Sequence, residues 1–290
     1  MPELPEVETT VRGLRKKVLN RTFFDVWTDS EKQIKKPENF KEFKKKVKGK
    51  KINKIWRRGK NIIFNLSQGY SLLIHQKLTG HLLFGNWDFK NGIWISQDNN
   101  FKDRVNTYIH LMFFLNNKKM LALSDLRKFA KIELWKTKEL KSSENFKKLG
   151  PEPLEESFTF DKFKEVLKNR KGKIKQVLLN QEIIVGIGNI YSDEVLWRAK
   201  IHPFEDVSKL NNKELKDIYN NIKEVLKKSI ELKGESFSDY RDIEGQKGEF
   251  DKLRRVYRRN GEKCTRCGTK IERIKMNVRS AHFCPKCQKL

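Results

Sequence analysis

Cysteine is scarce and confined: the 290 residues hold four, Cys264, Cys267, Cys284 and Cys287, all within the last 27 positions. No thiol is left elsewhere to staple a secreted fold, so the four belong to one local site. Long apolar runs are missing as well. The longest, 109–115, is interrupted by His110 and falls far short of the roughly 20 residues that cross a bilayer. The opening residues, MPELPEVETTVRGLRKKV, carry acids and bases where a signal peptide carries an apolar stretch, so a soluble, cytoplasmic chain is expected. Acidic residues are under-supplied: 37 Asp and Glu against 64 Lys and Arg leave a net charge of +27. Such a surface attracts polyanions. Nucleic acid leads, because neutralised phosphates release condensed counterions; an anionic membrane surface is the weaker candidate. No internal repeat is evident, and no Walker lysine follows the glycine-rich turn at 186–188, which argues against a nucleoside triphosphate site.

What is present suffices for folded cores. The hydrophobic fraction is 37%, with 19 Phe and 6 Trp, which excludes a long basic disordered tail. At this length two domains are expected. Val7, Val11, Leu14 and Val18 recur at helical spacing over about 3–19. A lysine-rich stretch follows, then short strand-like runs at 61–66, 71–75, 81–84, 108–115, 120–123 and 131–135, with Asn116-Asn117 as a hairpin turn. Many short strands with turn signals predict an antiparallel sandwich or flattened barrel. The Ser142-Ser143 pair and the Gly150-Pro151-Glu152-Pro153 breaker mark 136–152 as a linker. Beyond it the period turns helical, at 161–169, 174–179, 191–199 and 212–231, with Asp161 and Ser192 as candidate N-caps. The polar, glycine-punctuated segment 235–248 reads as a mobile loop.

Three motifs carry chemistry. Two Cys-x-x-Cys pairs separated by sixteen residues have the spacing of a tetrahedral four-thiolate zinc site, with two disulfides or free thiols as the alternative. Four thiolates close the coordination sphere, so a zinc there folds its module and catalyses nothing. Gly186-Ile-Gly188-Asn189 precedes a helix; its backbone N–H groups and the Asn189 amide could hold a phosphate, or the turn could be purely structural. At the N-terminus, removal of Met1 would leave Pro2 as a free secondary amine beside Glu3 and Glu6. An α-amine titrates near pH 7.7 to 8 and is partly nucleophilic at working pH. Proline and glutamate also suit the first helical turn for capping reasons, and the residues alone leave both readings open.

Taken in order, MPELPEVETTVRGL, RRGKNIIF, LRKF, LGPEPL, VGIGNIYSDEVL and the closing CxxC…RSAHFCPKCQ resemble the formamidopyrimidine-DNA glycosylase (Fpg/MutM) family from the first residue to the last. Leu4 favours the oxidised-purine branch over the endonuclease VIII branch, which typically begins Pro-Glu-Gly. The resemblance implies an α+β chain: an N-terminal antiparallel β-sandwich with flanking helices over 1–135, the linker, a helix-two-turn-helix domain with a lesion-capping loop over 153–260, and a four-cysteine zinc finger over 261–290. It implies a bifunctional glycosylase and abasic-site lyase of base excision repair, acting on 8-oxoguanine and formamidopyrimidines in double-stranded DNA laid across a basic cleft. One structural Zn2+, no catalytic cofactor, no membrane and a monomer on the bacterial nucleoid go with it.

Residue by residue, the resemblance makes Pro2 the nucleophile at the deoxyribose C1′, Glu3 the proton-transfer carboxylate, Glu6 a supporting acid and Lys60 a lysine near the lesion and its phosphates. Strand nicking then follows by β,δ-elimination. Leu78, Arg127 and Phe129 match the residues that fill the void left by the extruded base, with Phe129 as wedge and Arg127 on the widowed base. Asn189 and Arg279 match phosphate clamps. Three departures stand out: His75-Gln76-Lys77-Leu78 in place of His-Leu-Gly-Met, Ala130 in place of glycine, and Tyr108-Ile109-His110 in place of His-Asp-His. Leu78 for methionine conserves volume and apolarity. His75 and His110 are assigned structural roles. Two rivals remain: an oxidised-pyrimidine glycosylase of the endonuclease VIII kind, and a non-catalytic zinc-finger nucleic-acid-binding protein.

Overall fold

Val7, Val11, Leu14 and Val18 form one buried stripe on helix α1 (Leu4–Val18), which has Pro5 in its first turn and Arg15, Lys16 and Lys17 in its last. Proline loses nothing where the N–H lacks an intrahelical partner, and the cations meet the negative end of the helix dipole. In the computed structural model, which describes residues 1–236 and 239–290, the chain divides into two units: Met1–Lys147 with Leu232–Glu249, and Lys148–Glu231 with Phe250–Leu290. No described helix is long and apolar enough to cross a membrane.

The first unit continues with β1 (Phe23–Thr28), β2 (Ile34–Lys36), α2 (Phe40–Val47), β3 (Ile52–Arg58), β4 (Asn61–Leu66), β5 (Tyr70–His75), β6 (His81–Gly85), β7 (Trp87–Lys90), β8 (Ile93–Ser96), β9 (Ile109–Leu115), β10 (Met120–Ser124), β11 (Lys131–Lys136), α3 (Thr137–Ser142) and α4 (Glu144–Lys147). A four-stranded sheet runs β1-β9-β10-β6 and a five-stranded one β2-β11-β5-β4-β3, antiparallel except for the β2–β11 pair. Inward side chains of both sheets, among them Phe23, Phe113, Leu121, Phe64, Ile74 and Ile132, join the α1 stripe in one core. The outer faces are covered as well. Trp87, Phe101 and Trp94 pack over Leu83, Met112 and Ala122, while Leu140 and Phe146 pack over Ile63 and Leu73. Covering both faces explains why β9 reads as a nearly continuous apolar run.

The structure differs from the sequence expectation in three places here. The lysine-rich stretch after α1 carries β1, β2, α2 and β3. Register shifts at Phe23/Asp25 and Ile52/Lys54 break the period-two pattern that would have exposed two of those strands. The segment 136–152 begins as structure, not linker: β11 ends at Lys136 and α3 and α4 follow, held by Leu140 and Phe146. Most of 235–248, expected as a mobile loop, is fastened to the first unit. Arg241 Nη2 pairs with Asp103 at 2.6 Å, Phe84 N–H donates to the Ile243 carbonyl at 2.8 Å, and Asn106 donates to the Gly245 carbonyl at 3.3 Å.

The second unit holds α5 (Phe160–Leu167), α6 (Ile174–Leu179), α7 (Asn189–Ala199), α8 (Asn212–Glu231) and a hairpin of β12 (Glu272–Met276) with β13 (Arg279–Phe283). Helix α5 is capped by Thr159, which accepts from the Lys162 N–H, and not by Asp161. The N-cap of helix α7 is Gly188 and not Ser192, which is buried inside the helix with its hydroxyl bonded back to the Asn189 carbonyl at 3.3 Å.

Candidate active site and zinc centre

Helix α1 delivers its N-terminus into a pocket of acids. Pro2, Glu3 and Glu6 are all buried, and Lys60, at the turn between β3 and β4, is 8% exposed. Glu6 accepts the Glu3 N–H at 2.7 Å, half of a reciprocal capping box, and through its other oxygen the Glu235 N–H at 2.8 Å. Tyr240 donates to the Glu6 carbonyl at 3.1 Å. Gly234 must be glycine: its φ is +84°, and a Cβ would stand 2.6 Å from Glu6 Oε1. Both Glu6 oxygens are thus engaged in fixing backbone, which suits the supporting role. The amine of Met1 feels the whole group. Burial holds it below its ordinary value; Glu3, Glu6 and Asp239 pull it up, and Lys60 pushes it down.

Beside Met1 an open cavity of about 530 Å³ is lined by Leu78, Phe129, Ala130 and four lysines, Lys32, Lys35, Lys77 and Lys128. Three segments build it: the stretch around Lys32 and Lys35, the turn between β5 and β6, and the turn between β10 and β11. The turn between β10 and β11 presents Phe129, 49% exposed, with the Arg127 guanidinium 4.6 Å above its ring. An aromatic left half in water at the mouth of a cavity is a group waiting for an apolar partner. Leu78, Phe129 and the N-terminus therefore share one site, and Arg127 is stacked on Phe129. The four lysines carried no signal in a sequence so rich in lysine. His75 is held neutral, its pKa lowered to about 3 by burial and by Lys77, Lys60 and Lys131. His110 pairs with Asp29 at 2.9 Å. Among the described residues the cysteines are the only His, Cys, Asp or Glu group able to hold a metal. Within the expected lesion-capping segment, positions 237 and 238 lie outside the described residues.

In the second unit Gln181 shapes the glycine turn. Its carbonyl oxygen accepts the Gly186 N–H at 2.9 Å and its amide donates to the Leu179 and Ile187 carbonyls at 2.9 Å. Asn189 opens α7, and its buried Oδ1 has no partner among the described residues. Arg279 is exposed at the start of β13.

The four cysteine sulfurs lie within 4.8 Å of one another, with Cys267 and Cys284 3.4 Å apart and Cys264 and Cys287 4.0 Å apart. A tetrahedron of sulfurs about 2.3 Å from zinc has edges of roughly 3.8 Å, so the donor set fits one Zn2+. The ion would close the knuckles and leave no position for a substrate. Two adjacent carboxylates of α7, missed by sequence reasoning, tie this module down. Asp193 pairs with buried Lys175 and accepts from the His282 N–H at 3.0 Å, and Lys175 donates to the Ser280 carbonyl at 2.7 Å. Glu194 accepts the Arg255, Val256 and Tyr257 N–H groups at 2.9–3.0 Å. Consecutive acids in a helix otherwise look like a solvated face.

Comparison with known proteins agrees across the whole chain. Residues 1–132 match the formamidopyrimidine-DNA glycosylase N-terminal domain, 149–241 its H2TH domain, and 261–290 the zinc finger found in FPG and IleRS. The chain is 39% identical over 290 residues to a formamidopyrimidine-DNA glycosylase of Pelotomaculum thermopropionicum, covering 100% of both chains. It superposes on the Lactococcus lactis Fpg (MutM) solved with Fapy-dG-containing DNA, with a TM-score of 0.86, 35% identity, and coverage of 99% of this chain and 100% of that one. The Lactococcus lactis protein solved with an oxidised-pyrimidine DNA matches at the same TM-score of 0.86 and 35% identity, covering 100% of both.

Proposed function

The chain belongs to the formamidopyrimidine-DNA glycosylase family, base-excision-repair glycosylases of damaged DNA, and we propose that Pro2, freed of Met1, is its nucleophile toward oxidised purines in duplex DNA. The observation that carries this reading is the burial of Pro2 with Glu3, Glu6 and Lys60 at the start of the chain, whose Met1 edges the cavity lined by Leu78 and Phe129. The Pro2 lone pair forms a bond to C1′ of the damaged nucleotide as the bond from C1′ to the base breaks; the departing base takes that electron pair and a proton. Loss of the amine proton and opening of the C1′–O4′ bond leave a cationic iminium, with Glu3 moving protons at the sugar. A secondary amine makes that adduct obligatorily cationic, which acidifies the C2′ proton; its removal expels the 3′ phosphate, and a second elimination expels the 5′ phosphate. Glu6 holds the α1 N-terminus and Lys60 stands near the lesion phosphates.

Extrusion of the base costs a few kcal/mol of unstacking, offset by filling the gap. Phe129 wedges into the stack, Leu78 fills behind it, and Arg127 reaches the orphaned base. Asn189, at the positive end of α7, and Arg279 clamp phosphates. Cys264, Cys267, Cys284 and Cys287 hold the zinc that folds the finger. Functional domains over 1–135, 153–260 and 261–290 are proposed on the same basis, and the net charge supports residence on bacterial DNA.

Borohydride should trap a covalent protein–DNA adduct on 8-oxoguanine:C duplex. Pro2→Gly, which leaves only a primary amine, should greatly reduce base release, and Glu3→Gln should slow it by about 10²- to 10⁴-fold. Undiminished cleavage by both variants would overturn the assignment. Because the Lactococcus lactis relative is also solved with an oxidised pyrimidine, the same assay includes thymine-glycol duplex. Faster release there than from 8-oxoguanine would favour the endonuclease VIII kind of activity.

A further inference from the structure

Three separate segments line the cavity beside Met1, around Lys32 and Lys35, around Lys77 and Leu78, and around Lys128 and Phe129. A single carboxylate, outside every role assigned above, holds all three. Asp125 has no solvent exposure. One of its oxygens accepts from Gln33 Nε2 at 2.9 Å and from the Ala130 N–H at 2.8 Å, and the other accepts the Thr79 hydroxyl. Thr79 Oγ1 in turn accepts the Arg127 N–H at 3.1 Å, and the Asp125 carbonyl accepts the Lys128 N–H at 3.0 Å. Gln33 sits between Lys32 and Ile34, Thr79 directly follows Leu78, and Ala130 directly follows Phe129. The bonds to an ionised carboxylate are charge-assisted, and the Asp125–Thr79 link joins the Leu78 turn to the Arg127–Phe129 turn.

Building on the glycosylase reading, we infer that Asp125 is a positioning residue that makes Leu78, Arg127 and Phe129 a single void-filling unit and so sets the choice of opposite base. Filler side chains on two independent turns would each find their own place in the gap. Tied through one buried carboxylate, they present one shape to the stack and one donor geometry to the orphaned base. An isostere tests the tie. Asparagine conserves the volume but has one acceptor oxygen where the carboxylate has two: with that oxygen kept on Gln33 and the Ala130 N–H, its N–H2 meets Thr79, so the charge-assisted bond from the Thr79 hydroxyl gives way to a weaker neutral one and the tie between the two turns loosens.

The experiment compares parent, Asp125→Asn, Thr79→Val and the double variant in three readouts. These are base release from 8-oxoguanine opposite C and opposite A, nicking of a plain abasic site, and the fluorescence of 2-aminopurine placed opposite a tetrahydrofuran abasic analogue. The expected result is a loss of about tenfold in base release relative to nicking, in keeping with the rate cost of a small misplacement of positioned groups. With it, the C-to-A ratio should move toward one, and the fluorescence change on binding should be lost. The double variant should be no worse than either single. If Asp125→Asn does not fold by circular dichroism, Thr79→Val gives the same readouts, because the other Asp125 bonds remain. Parallel loss of nicking and release, an unchanged C-to-A ratio, or additive defects in the double variant would overturn the inference. The fluorescence arm needs no base release, so a parent inert on 8-oxoguanine would sink the glycosylase reading while the tie is still decided by whether the variants fill the gap.

Discussion

A nucleophilic amine works only as its free base, since the ammonium form has no lone pair. In the unprocessed chain burial of the Met1 amine disfavours its charged form, and Lys60 acts in the same direction, while Glu3, Glu6 and Asp239 oppose them. The direction of the balance is downward from the ordinary α-amine value. The Pro2 amine is uncovered one residue further along beside the same groups, so single-turnover base release should rise with pH and level off with a midpoint below that of an exposed N-terminal proline. Replacing Lys60 by Met removes a cation that opposes protonation, so the residual activity of Lys60→Met should show its midpoint displaced to higher pH. A pH–rate profile in which that variant keeps the parent's midpoint would show that the lysine does not act on the amine. His75 makes the complementary point. It stands beside the same lysines and is held neutral far below neutrality, so it contributes no titration to the profile between pH 5 and 9.

At the level of helices and strands, the second unit depends on α7 as an anchor for the zinc module. The Lys175 and Asp193 side chains are both without exposure, so each charge relies on the other and on its protein hydrogen bonds. Deleting one partner of such a pair costs about 3–5 kcal/mol, whereas replacing both with apolar groups of similar volume costs little. Asp193→Ala should accordingly lower unfolding stability by that amount in urea titration, and Lys175→Met with Asp193→Leu should recover most of it. A double variant as unstable as the single one would mean that the His282 N–H bond, and not the ion pair, carries the anchor. This anchor also shows what a linear reading reaches. Helix α8, with its regular apolar period, and α6 have the predicted bounds, and the cysteine spacing marks the zinc ligands directly, because each signal is local. Strands β1 and β3 stayed hidden where a bulge shifts the alternation. Asp193, Glu194 and Asp125 stayed hidden because a buried acid looks like any other acid until the donors it meets, up to 89 residues away in the chain for Asp193, are brought to it.

For the molecule as a whole the governing quantity is the surplus of 27 positive charges. Its contribution to DNA affinity is blind to sequence and to damage, since each phosphate neutralised releases about 0.9 of a counterion whatever base it carries. On the proposed reading, lesion recognition comes instead from the N-terminal site and from the filler turns that carry Leu78, Arg127 and Phe129. The two contributions should separate in salt. Binding of undamaged duplex should fall by about 10³- to 10⁵-fold between 50 and 200 mM salt if 6–10 phosphates are engaged, while the ratio of lesion to undamaged affinity stays nearly constant. Arg279→Ala should weaken both duplexes alike and reduce the slope of log affinity against log salt by about 1. Phe129→Ala should leave that slope intact and shrink the lesion ratio. Fluorescence-anisotropy titrations of the three proteins across the salt range decide the matter: a lesion ratio that collapses with salt in the parent, or an unaltered slope in Arg279→Ala, would place discrimination in the charge field and remove Arg279 from the phosphate contacts.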